Sequence, residues 1–309
     1  MSEDAIYHEH LEVFLLWAAR ETGVFEALFE GPQSAPALAA SAGITERAAE
    51  VTLAALHEWG YVADTADGYE PTDALDGFRP DVDVLEQGVL PHRLDSLEHY
   101  MELPRLMRTG ESPEHTESGL RHYMGAMATI DEATVRQIVT VAEHAHPRPD
   151  RVLDVGGGPG RFTAEWRDRG ADVTTVDLPP VVDVLGDHYD ERGFEVRVGD
   201  ATEDLPTGFD MVFSARMIPS FSPTDLQAYF ENAFDALLPG GTFMCTERVW
   251  DRSESARRFG FHMLTVGDAD HRYTAAEYEA ALADAGFVDT DVPEVPGTPF
   301  QGIVGHKPE

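Results

Sequence analysis

Apolar residues recur at helical spacing through the first sixty positions. Leu11, Phe14, Leu15, Ala18, Val24, Phe25 and Leu28 predict helix across residues 7–29, broken at Gly23. A short Ala-rich helix is expected from Ser34 to Ala42, and Thr45 is placed to N-cap a helix from Glu46 to Trp59. The apolar face of that helix reads as Val51, Leu53, Ala54 and Leu56. Two short strands then flank Asp67 and Gly68, a hairpin signal. Three helical segments followed by a hairpin describe a winged helix. Residues 82–107 are again helical in period, with breaks expected at Pro91 and Pro104, and two more helices are expected at 120–129 and 132–144.

From residue 151 the pattern changes to short apolar runs alternating with amphipathic ones. Strands are expected at Val152–Val155, Ala171–Val176, Phe194–Val198, Asp210–Ala215 and Thr242–Glu247. Helices are expected between them, among them 181–192 and 225–238, the latter ended by Pro239, Gly240 and Gly241. A helix from Ala275 to Ala285 and a hairpin of Val288–Val292 with Gln301–Val304 close the chain. This is an α/β pattern, a Rossmann-like doubly wound sheet behind a mainly helical winged-helix domain. The boundary is expected near residue 98, giving domains of 1–98 and 99–309.

The first strand of the second half runs into Gly156, Gly157, Gly158, Pro159 and Gly160, and then into a helix carrying Phe162 and Trp166 one turn apart. A glycine turn lets backbone approach a ligand closely, and the helix behind it offers free N–H groups. The dinucleotide fingerprint needs a third glycine where this chain has Arg161. Present instead are Asp154, Gly156, Gly158 and Gly160 at alternating positions. Asp177 ends the second strand, 21 residues after Gly156, where a carboxylate accepts hydrogen bonds from a ribose diol. A glycine turn without the phosphate glycine, joined to a ribose acid, suits a nucleoside whose other end is not a pyrophosphate. S-adenosylmethionine meets that description.

The stretch resembles the first motif of the class I S-adenosylmethionine-dependent methyltransferases. The continuation Asp177, Leu178, Pro179, Pro180, Val181 is similar to the "DLP-x-V" signature of the small-molecule O-methyltransferases, which include plant phenolic, acetylserotonin and bacterial polyketide enzymes. The resemblance extends to the N-terminal half, where that family carries a winged-helix dimerisation domain and a "Y-x-x-T" like Tyr69 to Thr72. It implies a homodimer and a small aromatic or quinone-like acceptor. Asp154, Gly156 and Gly158 would serve the methionine end, Asp177 and Leu178 the ribose, and Asp200 with Ala201 the adenine. Met127, Phe221 and Met263 would line the acceptor pocket.

The resemblance fails at one place. The family reads "L-H-D-W" after its fourth strand, with the histidine as general base; this chain reads Ile218, Pro219, Ser220, Phe221. Proline accepts no proton. Transfer by proximity alone is one expectation. The others are a base supplied by His262, His271 or Glu247, and a protein that binds the cofactor with altered or no methyl transfer.

Composition narrows the picture further. Against 57 acids stand 22 Lys plus Arg, a formal net charge of −35 at pH 7, spread along the whole chain. Such a surface suits solubility in concentrated salt and opposes phosphate-backbone contact. The third helix of the wing carries Glu46, Glu50 and Glu58 against Arg47, which argues against a nucleic-acid partner or a winged-helix regulator sensing a small ligand. With one cysteine, Cys245, no disulfide or cysteine metal site is expected, and His144 with His146 lacks a matched acidic partner for a metal. No run reaches the ~18 apolar residues of a membrane span, and Met1 to Asp4 have neither the basic start nor the apolar core of a signal peptide. A cytoplasmic protein is expected.

Overall fold

The computed structural model describes residues 3–111, 116–265 and 272–309. The chain divides into two compact units, Met1–Glu98 and His99–Glu309.

In the first unit, α1 (Glu3–Glu21), α2 (Val24–Glu30), α3 (Ala35–Ala42) and α4 (Glu46–Glu58) precede β1 (Val62–Thr65) and β2 (Gly68–Pro71). The Thr45 side chain accepts from the Ala48 amide and caps α4 as expected, while Ser34 stands outside α3, rather than beginning it, and caps it by accepting from the Ala37 amide. The hairpin pairs Thr65 with Gly68. Its core gathers Leu16, Phe25, Leu28, Leu38, Leu53 and Leu56.

Two helical faces differ from expectation. On α4 the buried residues are Ala49, Leu53 and Leu56, while Val51 is 62% exposed and Ala54 is exposed. Val51 follows Ala49 by two positions, which turns it about 200° around the helix and away from the core. On α1 the core side is Leu16 and Ala19, whereas Leu11, Phe14 and Ala18 form an exposed stripe.

The second unit is built on a seven-stranded sheet. Its strands are β3 (Arg151–Val155), β4 (Asp172–Asp177), β5 (Glu195–Val198), β6 (Phe209–Ala215), β7 (Leu237–Glu247), β8 (Val288–Asp291) and β9 (Gln301–His306). Their spatial order is β5-β4-β3-β6-β7-β9-β8. The first five are parallel; β9 runs antiparallel to β7 and β8 to β9. Alternation along β6 and β7 sends Val212 and Phe243 to one face, with Tyr229 and Phe230. It sends Phe213 and Met244 to the other, with Ile138 and Trp166. Strand order reverses between β3 and β6, so a crevice opens at the carboxyl ends of the strands there.

The helices are α5 (Leu90–Thr109), within which the two units divide, then α6 (Glu117–Ala128), α7 (Glu132–Ala145), α8 (Arg161–Asp168), α9 (Pro179–Arg192), α10 (Pro223–Ala236), α11 (Ala256–Met263) and α12 (Ala275–Asp284). Pro91 stands in the first turn of α5, where its missing N–H costs nothing, and Pro104 lies inside it without ending it. Leu103 and Leu106 are buried on either side of Pro104, and that packing carries the helix through. Helix α10 stops at Ala236 rather than running on to Leu238. Leu237 already pairs with Phe209, and residues 238–241 bulge before Thr242 pairs with Met211. The chain's single lysine caps this end: Lys307 Nζ donates to Phe234 O at 2.7 Å and Leu237 O at 2.8 Å.

Candidate functional site

The crevice is floored by the turn between β3 and α8. The Gly156 amide donates to Val176 O at 2.8 Å, which ties the turn to β4. Gly156 has φ +69°, and a Cβ built there would sit 2.7 Å from Met217 Sδ. On Gly157 it would meet Thr175 Cγ2 at 2.5 Å. A side chain at either place would displace Met217 or Thr175.

Asp177, at the tip of β4, is buried, and both its oxygens are engaged by backbone. Oδ2 accepts from the Gly158 amide and Oδ1 from the Leu178 amide, each at 2.8 Å. Burial raises its pKa above the ordinary range, and those two amides hold it back. Tyr189 of α9 donates to Gly158 O at 2.7 Å, fixing the turn from the far side. Sequence reasoning missed it, although Val181, Leu185 and Tyr189 recur at fourfold spacing along α9, the mark of a buried face.

The structure divides the other expected cofactor residues. Asp154 is 1% exposed, its Oδ2 accepting from Thr163 Oγ1 at 2.6 Å. It supports the turn from below, with burial pushing its pKa up to about 7. Leu178 is 46% exposed at the start of α9. Asp200 is half-buried, its Oδ1 accepting from the amide and the hydroxyl of Thr202. Ala201 is buried, its carbonyl held by Asn232 Nδ2 at 2.9 Å.

These residues fit a nucleoside. An ionised carboxylate offers about four lone-pair sites, and two remain on Asp177 for a diol beside the two that the backbone takes. The glycine turn leaves no Cβ in the way, and Leu178 presents apolar surface next to the acid.

On the other side of β3, β6 is followed by Arg216, whose φ of +63° is a left-handed conformation unusual outside glycine. Its amide donates to Thr246 O at 2.9 Å. A short 3-10 turn, Ile218–Ser220, follows and places Pro219 there. Glu247, 3% exposed at the tip of β7, accepts from the Ile218 amide at 3.0 Å. Burial pushes its pKa up to about 8, opposed by the Ile218 amide and by Arg216 and Arg248.

That displacement has a sign. The folded protein holds the Glu247 proton more tightly than the unfolded chain, so the stability it confers is complete below about pH 4.5 and lost as pH rises towards 8. The loss is on the order of 3–5 kcal/mol across that window. Thermal unfolding of Glu247→Gln in fixed high salt should therefore show a shallower fall from pH 5 to 8 than the parent. Parallel curves would exclude it.

Tyr123 of α6, which sequence reasoning also missed, joins the two sides. Burial raises its phenol above the ordinary value; Arg216 opposes this, while Glu247 and then Asp177 add to it. The residue as a whole is 38% exposed. His262 on α11 meets Tyr100 Oη at 2.7 Å through Nδ1, and burial, Arg248 and His99 lower its pKa. Met263 is buried and Met127 half-buried. The half-buried Phe221 ring packs edge to face on Tyr229, with centroids 5.7 Å apart. His271 lies outside the described residues.

A groove of about 590 Å³ lies elsewhere, between α7 and the β8–β9 hairpin, lined in part by Arg136, His144, Asp289 and His306. His306 and His146 both bond Thr242 Oγ1 at 3.0 Å, which puts the groove near the opposite ends of the parallel strands. Among the described residues no group of three metal-ligating side chains forms, and no helix is long and apolar enough to cross a membrane.

Comparison with known proteins agrees with this geometry. The family described as "Methyltransferase domain" matches residues 127–292. A 3-hydroxy-5-methyl-1-naphthoate 3-O-methyltransferase of Streptomyces sahachiroi is 29% identical over 301 residues, covering 88% of this chain and 84% of that protein. Among solved structures, an N,N-8-amino-8-demethyl-D-riboflavin dimethyltransferase of Streptomyces davawensis superposes with a TM-score of 0.76 at 21% identity, covering 99% of each chain. Human N-acetylserotonin methyltransferase, solved with S-adenosylmethionine, gives 0.70 at 19% identity, over 99% of this chain and 96% of that one. The strand order, the glycine turn and the family match agree: this chain belongs to the methyltransferase-domain family, as a class I S-adenosylmethionine-dependent enzyme of the small-molecule O-methyltransferase type.

Proposed function

We propose that this enzyme methylates a hydroxyl on a small aromatic molecule and does so without a protein base at the family position. The observation that carries this reading is the pairing of a built nucleoside site, Asp177 on its glycine turn, with proline where a proton acceptor would stand. S-adenosylmethionine supplies, when bound, a methyl group on a positively charged sulfur that leaves with the bonding pair. Asp177 and Leu178 would hold the ribose, Asp200 and Ala201 the adenine edge, and Gly156 and Gly158 the close approach at the methionine end. Met127, Phe221 and Met263 would bound the acceptor side. Holding a nucleophile in line contributes up to about 7–11 kcal/mol in ideal geometries, enough for an acceptor that enters with its proton already lost to solvent.

The naphthoate enzyme that the chain resembles over most of its length supports an aromatic acceptor. The exposed Leu11, Phe14 and Ala18 stripe on α1 supports a homodimer through the N-terminal unit, read out as a doubled mass in light scattering. We take the acid excess as adaptation to concentrated salt in the cytoplasm.

One observation favours a second reading, with His262 as base: its imidazole stays neutral and is oriented by Tyr100. A pH–rate profile decides between them. Transfer by proximity should follow the acceptor's own ionisation, the same in Asp, Glu and His variants. A base at His262 should add an inflection below pH ~6.5 that disappears in His262→Gln. Calorimetry in high salt with S-adenosylmethionine, S-adenosylhomocysteine and NAD tests the cofactor: micromolar binding of the first two and none of NAD is expected.

A further inference from the structure

Arg216 and Arg248 leave the tips of β6 and β7, adjacent parallel strands. Arg248 Cζ lies 4.5 Å from the Phe259 ring centroid and 4.6 Å from that of Phe300, and Arg216 Cζ lies 5.9 Å from Phe300. The two guanidiniums thus share one aromatic ring. Arg20 and Arg169, which are also partly buried, are by contrast ion-paired: Arg20 with Asp95 and Glu98, Arg169 with Glu143 and Glu165. Among the described residues no carboxylate oxygen lies within 4.0 Å of Arg216 or Arg248, and neither side chain donates a hydrogen bond. In a protein of net charge −35, two half-buried cations brought together without an ion pair call for an anion. A guanidinium stacked on a ring has its face occupied and its N–H edge free, the geometry that receives a carboxylate through two bonds.

We infer that Arg216 and Arg248, braced by Phe300 and Phe259, form an anion-recognition arm of the acceptor site that selects aromatic acceptors bearing a ring carboxylate. The inference rests on the methyltransferase reading and names the acceptor class within it. Three further observations support it. Glu247, the carboxyl between the two arginines in sequence, forms an ion pair with neither, and its Oε1 accepts from the Ile218 amide instead. Burial, and then the like charge of Arg216, lowers the Arg248 pKa, as expected for a cation held ready for a counter-charge. The Arg216 backbone keeps a left-handed conformation at this tip, strain of the kind that collects at binding sites.

The cofactor has a carboxylate of its own, but its site centres on β3 and β4. Strand β7 lies two strands beyond β3, roughly 10 Å away. The arginine that follows the glycine turn is Arg161, whose Nε is buried without a partner among the described residues. Arg248 is therefore assigned to the acceptor.

The test measures binding of 3-hydroxy-2-naphthoate and of 2-naphthol, a pair differing only in the carboxylate, in high salt with saturating S-adenosylhomocysteine. The parent protein should prefer the naphthoate by roughly 10–100-fold. Arg248→Gln and Arg216→Gln should each erase most of that preference, and Arg248→Lys should keep part of it. In the same variants the affinity for S-adenosylhomocysteine, and its advantage over 5′-methylthioadenosine, should not change; that binding also shows that the variants fold. No preference in the parent, or a full preference in both Gln variants, overturns the inference. A fall in the S-adenosylhomocysteine advantage in place of the naphthoate preference assigns the arginines to the cofactor and overturns it equally. Failure of the parent to bind S-adenosylhomocysteine removes the cofactor reading beneath it, and the inference with it.

Discussion

Asp177→Ala should weaken S-adenosylhomocysteine binding by about 100-fold or more, the largest loss expected from any single change in the cofactor site. The carboxylate already accepts from the Gly158 and Leu178 amides, each at 2.8 Å, and its remaining lone pairs are those a ribose diol would use. Two charge-assisted bonds lost are on the order of 3–6 kcal/mol. Alanine also leaves the Gly158 amide without its acceptor, so the turn that approaches the ligand loosens along with the contact. Asp177→Asn separates these effects. One amide oxygen still accepts from backbone, so the turn should hold better and binding should fall less. Calorimetry that placed the alanine variant within threefold of the parent would remove Asp177 from the site.

Gly156→Ala should lose at least about tenfold in the same titration while leaving most of the fold intact. Its Cβ would stand 2.7 Å from Met217 Sδ in a residue whose φ is +69°. A left-handed conformation costs an alanine about 1–2 kcal/mol, and the methionine must move as well. That movement is directed at the site, because the amide of the next residue, Ile218, is the one bonded to Glu247. Gly186→Ala is the control. Gly186 lies within α9 with nothing within 4 Å of an added Cβ, and alanine there should raise stability by about 0.5–1 kcal/mol. Equal losses in the two variants would mean that the glycine turn has no special role.

Much of this protein was legible before any coordinates. The strand–turn–helix at 151–169, the acid ending the next strand and the missing third glycine are local spacings, and a spacing of a few residues survives any tertiary arrangement. The same holds for the cap at Thr45, whose partner lies three residues away. The end of α10 was misplaced for the complementary reason. Pro239, Gly240 and Gly241 signal a stop, but the pairing of Leu237 with Phe209 claims the chain two residues earlier, and that partner lies 28 positions upstream.

Sequence by itself determined the two-part architecture, the succession of strands and helices along the chain, the nucleoside character of the site and the loss of the family histidine at Pro219. Tertiary structure alone decided which face of α1 is buried, since Leu11, Phe14 and Ala18 are as periodic as Leu16 and Ala19 and only packing distinguishes them. It alone raised the Glu247 pKa to about 8, because desolvation arises from neighbours far away along the chain. It alone brought Arg216, Arg248, Phe259 and Phe300 together, from three strand ends and a helix. Hydrophobic period is a property of neighbours in sequence, whereas burial, charge and strain are properties of neighbours in space.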